Sequence, residues 1–316
     1  MLGIVFIVIS AIWFGFATIG MRRGVATASA LNGLYLTLLP GVPLFWLAAL
    51  VSGQAFDVGQ LARSDYGLLA AAGVVHFLVG RYCSLRSFAA IGANRASPVI
   101  VGSVLVSVGF AVTLLDEEFT PLMAAGTALL IVGPGIAIRR PARAPEPATV
   151  PAAPDAGRAA PRAQAAFDAI PRERLLKGYA WALATAVAFG VSPILIREAL
   201  GDSGLGVLGG ALSYTMAGLL LLALLATPGQ LSGLRRASGT AQRWFLFGAL
   251  TIILAQLFRF LALSHAPVTV VVPLMRGGIV FTILLSFIFN RSLESFDRRV
   301  LAGIAVSLAG SVALVI

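Results

Sequence analysis

One apolar run follows another along this chain, each about as long as a helix needs to cross a hydrocarbon layer, and the charges fall almost entirely in the gaps. A bilayer core about 30 Å thick takes about 20 residues of helix, and inside it each backbone N–H and C=O must be satisfied within its own segment. The pattern therefore dictates an all-α integral membrane protein. Composition agrees: 59% of the 316 residues are hydrophobic, 11% are charged and the mean hydropathy is +0.94, outside the usage of water-soluble domains.

Reading these runs against their breakers predicts ten transmembrane helices. Five lie near 2–20, 31–52, 66–90, 97–115 and 120–138, and five near 175–196, 205–226, 243–264, 267–289 and 299–316. Thr120 is placed to cap a helix whose first position is Pro121. Arg22 and Arg23 follow the first apolar run instead of preceding it, so that run is expected to be a retained helix and not a cleaved leader. Residues 139–174 are rich in proline and alanine, carry basic residues and contain no spanning run. They read as a linker without a fold of its own.

The two segments flanking the linker, 1–138 and 175–316, repeat each other at an offset of 175 residues. Gly3 meets Gly178, Phe14-Gly15 meets Phe189-Gly190, Gly73 meets Gly248, Pro98 meets Pro273 and Gly102 meets Gly277. Five crossings per segment is an odd number, so the second repeat enters the membrane from the opposite side and the repeats are inverted. Such pairs enclose a cavity near the bilayer midplane and rock around it in alternating access. Pro98, Gly102, Pro273 and Gly277, at matching places in the fourth and ninth helices, are the expected hinge positions; close helix packing is the competing reading of the same glycines.

Three stretches carry a resemblance: WFGFATIGMRRG at 13–24, SFAAIGANRASPVIVGSVLVSVGFAVTLLDEEFT at 87–120 with its echo LALSHAPVTVVVPLMRGGIVFTILLSFIFNRSLES at 261–295, and the closing LAGIAVSLAG. In these the chain resembles the EamA-like, ten-helix members of the drug/metabolite transporter superfamily. The resemblance implies a membrane transporter and leaves its substrate open.

The formal net charge of +10 comes from basic residues placed between the apolar runs, so it points to membrane orientation and not to nucleic acid. Outside helix interiors one face holds nearly all of them, including Arg22, Arg23, Arg235, Arg236 and those of the linker, while the other holds Arg63 and Arg197. By the positive-inside rule the linker is cytoplasmic and both termini lie outside, in a bacterial inner membrane. The family resemblance implies cytoplasmic termini instead; the charge bias is the reading kept here.

Three arginines fall inside apolar helices: Arg81, Arg259 and Arg276. An arginine at mid-bilayer costs roughly 2.5–3.5 kcal/mol, so each should face a wet cavity or a partner. Every Asp and Glu lies in a loop, in the linker or at a helix end. If the guanidinium groups converge, a substrate carboxylate or phosphate would supply the missing negative charge; snorkelling or bonding to backbone carbonyls is the alternative for each. Gln256, the repeat equivalent of Arg81, and His76, which titrates near neutral pH, complete the expected substrate-binding set of Arg276, Arg81, Arg259, Gln256 and His76.

No catalytic residue, metal site or cofactor is expected. Cys83 is the single cysteine, which excludes an internal disulfide and a CxxC pair. GLGVLG at 204–209 fits a nucleotide-binding pattern but follows no strand. The acidic run Asp116, Glu117, Glu118 reads as helix capping. The expected function is secondary transport of a small polar metabolite, an amino acid or organic acid among them, with lipid as the surrounding partner and either a monomer or a homodimer as the assembly. A flippase for a lipid-linked or lipophilic cargo, a membrane enzyme acting on a phosphorylated lipid, and a membrane scaffold are the competing functions.

Overall fold

A computed structural model describes residues 1–25, 30–91, 96, 99–138, 171–225, 239–278 and 298–314. Every regular element among them is helical. The N-terminal half contributes α1 (Leu2–Val25), α2 (Ala30–Leu38), α3 (Gly41–Val51), α4 (Arg63–Gly73), a π-helical turn (Val74–Gly80), α5 (Arg81–Ile91), α6 (Ser103–Leu114) and α7 (Pro121–Ile138). The C-terminal half contributes α8 (Arg172–Leu200), α9 (Gly206–Leu225), α10 (Gly239–Leu263), α11 (Val268–Gly277) and α12 (Arg298–Ala313). By length and composition, five described helical stretches are long and apolar enough to cross a membrane, from Leu34–Val51 to Leu246–Leu263. Residues 139–170 of the expected linker, Pro98 and residues 279–297 lie outside the described residues, and the last linker residues, from Arg172, already belong to α8.

Local sequence explains where several of these helices start and stop. Thr120 Oγ1 accepts from the Met123 N–H at 3.2 Å and Pro121 occupies the first helical position, as expected. The single helix expected over 31–52 divides at Leu39-Pro40. Pro40 and Pro43 have no N–H, so the carbonyls one turn before them lose their usual partners. The helix expected over 66–90 runs from Arg63 to Ile91 but widens into a π turn at Val74–Gly80. Such turns re-aim side chains and recur at functional sites.

The two halves interleave. α1 lies along α10, while α8 packs against α4, the π turn and α5, so the first helix of each half is seated on the third of the other. Small residues allow both close crossings. A Cβ on Gly3 would stand 2.4 Å from Ala266 Cβ, and one on Gly178 would stand 2.2 Å from Ile91 Cγ2. α7 pairs with α12, where Gly126 and Gly310 face each other's backbone carbonyls.

One end of the bundle is tied by polar contacts, those of Glu117 and Gln54 between the halves and those of Arg197 within the second. Glu117, in the turn before α7, accepts from the Val268 and Thr269 N–H groups at 2.8 Å each, so it caps α11. That corrects the expectation in one respect: the acidic run does cap a helix, but one belonging to the other half. Gln54 accepts from the Leu208 N–H at 3.1 Å and donates to the Gly204 carbonyl at 3.2 Å. Arg197 donates to the carbonyls of Gly201 (2.6 Å) and Leu263 (3.3 Å) and to Asp202 (2.8 Å), which holds the Asp202 carboxyl below the usual carboxylate range.

The Glu117 cap is expected to matter. Glu117→Ala should lower stability by about 1–2 kcal/mol, since two helix N-terminal donors lose a charged acceptor. Thermal unfolding in detergent checks it, and an unchanged melting point would show that water replaces the carboxylate without loss.

Candidate functional site

Two polar clusters sit where α5, α8, α9 and α10 meet inside the apolar bundle. The first is a closed ring of four side chains. His76 Nδ1 lies 3.0 Å from Ser192 Oγ, and His76 Nε2 lies 3.3 Å from Gln256 Nε2. Arg259 closes the ring, donating to Gln256 Oε1 at 3.3 Å and to Ser192 Oγ at 3.1 Å. All four are buried: Ser192 is fully enclosed, Gln256 and Arg259 are 1% exposed and His76 is 7% exposed.

The sequence places these groups by simple means. Gln256 and Arg259 stand three residues apart on α10 and share one face. Ser192 precedes Pro193 inside α8, and His76 projects from the π turn against the Phe77 and Phe189 rings.

The second cluster surrounds Arg81. Its NH1 donates to Thr37 Oγ1 at 3.1 Å and its guanidinium lies 5.6 Å from the centre of the Phe77 ring. Among the described residues Arg81 meets no carboxylate. Tyr214, fully buried and stacked on Phe45 at 4.5 Å, is within electrostatic reach of both Arg81 and Arg259. Its hydroxyl has no hydrogen-bond partner among the described residues.

The energetics of the two arginines differ. Each costs roughly 2.5–3.5 kcal/mol to place deep in a bilayer, and a hydrogen bond from a charged donor returns roughly 1.5–3 kcal/mol. Arg259 is offset by bonds to Gln256 and Ser192; among the described residues Arg81 has one such bond, to a neutral hydroxyl. Among the described residues no carboxylate answers the Arg81 charge, and the Tyr214 hydroxyl within its electrostatic reach has no hydrogen-bond partner.

The other expected residues fall elsewhere. The helical backbone of α11 includes Arg276, but its side chain lies outside the described residues, and so does Pro98. Pro273 lies buried within α11 and Gly277 ends that helix. Gly102 forms a turn before α6, its N–H bonding to the Val99 carbonyl at 3.0 Å. Arg86, exposed, has the Tyr82 and Trp181 rings within 5.9 Å and 5.8 Å, as suits an interfacial anchor. Ser192, Tyr214 and Thr37 join the two polar clusters and went unrecognised in the sequence, where single hydroxyls in apolar helices carry no signal of their own. A groove of 110 Å³ between α3 and α10 is lined by apolar side chains, Leu44, Phe45 and Leu257 among them, and includes none of the residues of the two polar clusters.

A helical bundle with several apolar helices long enough to cross a bilayer describes a multi-pass membrane protein. The chain belongs to the EamA-like transporter family, which it matches over residues 1–138 and 176–316. It is thus a membrane transporter of small molecules. No curated protein matches it. A crystal structure with 16% sequence identity superposes with a TM-score of 0.71, covering 98% of this chain and 94% of its own, and shares the fold.

Proposed function

We propose that the protein is a secondary carrier of a small metabolite bearing a carboxylate or phosphate, bound between two inverted five-helix repeats in a bacterial inner membrane. The repeats are 1–138 and 175–316, joined by a cytoplasmic linker at 139–174. One observation carries the substrate class: Arg81, inside the bundle, has a neutral hydroxyl as its one hydrogen-bond partner among the described residues. A guanidinium so placed favours the carboxylate or phosphate that can engage two of its N–H groups together.

The close crossings support the repeat. Adding the 175-residue offset to Gly3 gives Gly178, and subtracting it from Ala266 gives Ile91; Gly3 meets Ala266 and Gly178 meets Ile91. A pseudo-two-fold axis between the halves generates such a pair of equivalent contacts. The end of the bundle closed by Glu117, Gln54 and Arg197 would be one gate of the alternating cycle.

A thermal-stability screen in detergent tests the substrate class, with succinate, inorganic phosphate, glutamate and choline as probes. Succinate or phosphate is expected to raise the melting point of the wild type, and Arg81→Met to remove that rise. Stabilisation by choline alone, or equal anion stabilisation of both proteins, would refute the reading.

A further inference from the structure

We infer that the crossing of α5 and α8 carries a binding site for the headgroup of an anionic phospholipid, built on Arg86, Trp181, Tyr82 and Lys177. The site lies apart from the two polar clusters and does not depend on the substrate proposed for them.

The charges of α8 set the depth of this site. Between Lys177 and Arg197 the helix carries no charge over 178–196, a length of about 28 Å at about 1.5 Å per residue. That matches a hydrocarbon core about 30 Å thick. Lys177 and Arg197 therefore mark its two edges, and residues 172–177 reach into the headgroup layer on the side where the linker joins α8. Trp181 lies one turn inside that edge, at the level where interfacial aromatic rings collect.

Helix packing brings Arg86 to the same depth. Gly178 and Trp181 share one face of α8; Gly178 is pressed against Ile91 and Ala90 of α5, and the Trp181 ring meets that of Tyr82 edge-on at 5.9 Å. The Arg86 guanidinium lies 5.8 Å from the centre of the Trp181 ring and 5.9 Å from that of Tyr82. Among the described residues Arg86 makes no hydrogen bond or ion pair, and the Trp181 indole N–H and the Tyr82 hydroxyl have no hydrogen-bond partner. Three donors thus stand together where water gives way to lipid. Lys177, one turn outward from Trp181 on the same face of α8, adds a fourth. Its ion pair with Glu173 is exposed at both ends, and such pairs hold their members weakly.

The ligand that fits has acceptors in the headgroup layer and an apolar tail beneath it. Val79, Tyr82 and Arg86, three and four residues apart and all exposed, run outward in the order apolar, aromatic, cationic. That is the order of acyl chain, ester and phosphate along a phospholipid. A phosphate engages the guanidinium through two N–H groups, and the lipid's oxygens accept from the indole and the phenol. Charge then selects among phospholipids. Arg86, Arg172, Arg174 and Lys177 outnumber Glu173, so a headgroup with its own ammonium brings a further positive charge into a positive region, whereas phosphatidylglycerol brings a net negative one. Since α5 belongs to the first half and α8 to the second, a lipid held here ties the halves together at the end opposite the Glu117 cap.

Native mass spectrometry of the full chain in detergent, titrated with equal amounts of phosphatidylglycerol and phosphatidylcholine of identical acyl chains, counts the bound lipids directly. The first phosphatidylglycerol is expected to bind about tenfold tighter than phosphatidylcholine, and Arg86→Gln to weaken it about tenfold. Lys177→Gln, on the other half, should weaken it about fivefold. Arg172→Gln is the control, because it removes the same charge from the opposite face of α8, about 10 Å across the helix. At about 0.15 M salt the screening length is about 8 Å, so this control should weaken binding by less than about twofold. Arg86, Lys177 and Arg172 are all exposed, and melting curves without lipid should match the wild type.

Phosphatidylcholine binding as tightly as phosphatidylglycerol would overturn recognition of an anionic headgroup. Equal effects of Arg86→Gln and Arg172→Gln would overturn the site by showing a diffuse surface charge in its place. Displacement of the bound lipid by an equal concentration of inorganic phosphate would overturn it as well, since the groove would then serve a soluble anion. None of these outcomes touches the substrate reading at Arg81.

Discussion

Arg81→Met is expected to melt higher than the wild type in anion-free detergent and to lose at least a hundredfold in anion flux. The stability half follows from the balance at this residue. Placing the guanidinium in the bundle costs roughly 2.5–3.5 kcal/mol, and its bond to Thr37 returns roughly 1.5–3 kcal/mol. Methionine fills much of the same space and removes both terms, leaving a net gain of about 1 kcal/mol, or about 2 °C in a protein of this size. Thr37 keeps its bond to the Leu34 carbonyl. The flux half follows from losing two charge-assisted bonds to the substrate, together about 3–6 kcal/mol, where each 1.36 kcal/mol is a factor of ten. Paired unfolding and flux measurements check both halves, and a variant that melts lower while still transporting would show that Arg81 is structural.

Arg259→Met is expected to lose flux to a similar extent but to melt lower than the wild type. Here the guanidinium holds two acceptors, Gln256 Oε1 and Ser192 Oγ, in a buried site. Removing it takes the charged donor from both, leaving Ser192 Oγ with His76, at about 1–3 kcal/mol each, against roughly 2.5–3.5 kcal/mol regained by removing the charge. Loss of the orientation that Arg259 imposes on Gln256 and His76 adds to the cost, and the net effect is a destabilisation of about 1–2 kcal/mol. The same chemical substitution is thus expected to change sign between the two arginines, because the protein gives Arg259 two acceptors and the proposed carrier leaves Arg81 to its substrate. A pair of melting curves with shifts in the same direction would contradict that division.

Much of the architecture is written in the hydropathy of the chain, because a bilayer leaves helices few alternatives. The Thr120-Pro121 start is legible for a local reason, since cap and first turn are adjacent in sequence. The break at Leu39-Pro40 is present as LPGVP, but the apolar run on either side masks it in any window about 20 residues wide. The π turn at Val74–Gly80 has no comparable local code, and it sets the direction in which His76 points.

At the site, arginines in an apolar helix are conspicuous because they are expensive, whereas their partners are not. Gln256 and Arg259 could be paired from their spacing on one helix. Ser192 and Tyr214 come from α8 and α9, and nothing in their surroundings distinguishes them from packing residues until the halves are assembled. The repeat register pairs Arg81 with Gln256 as equivalent positions, yet their neighbours differ: Arg81 meets Thr37 and Phe77, Gln256 meets His76 and Arg259. The 175-residue register matches the helix crossings more closely than it matches the polar residues.

The most direct measurement is the electrical response of reconstituted proteoliposomes on a solid-supported membrane to a jump in succinate or phosphate concentration. Wild-type protein should give an anion-dependent transient current that Arg81→Met abolishes, with no response to choline. A current of equal size from Arg81→Met, or one driven by choline and not by either anion, would contradict an electropositive substrate site between the two halves.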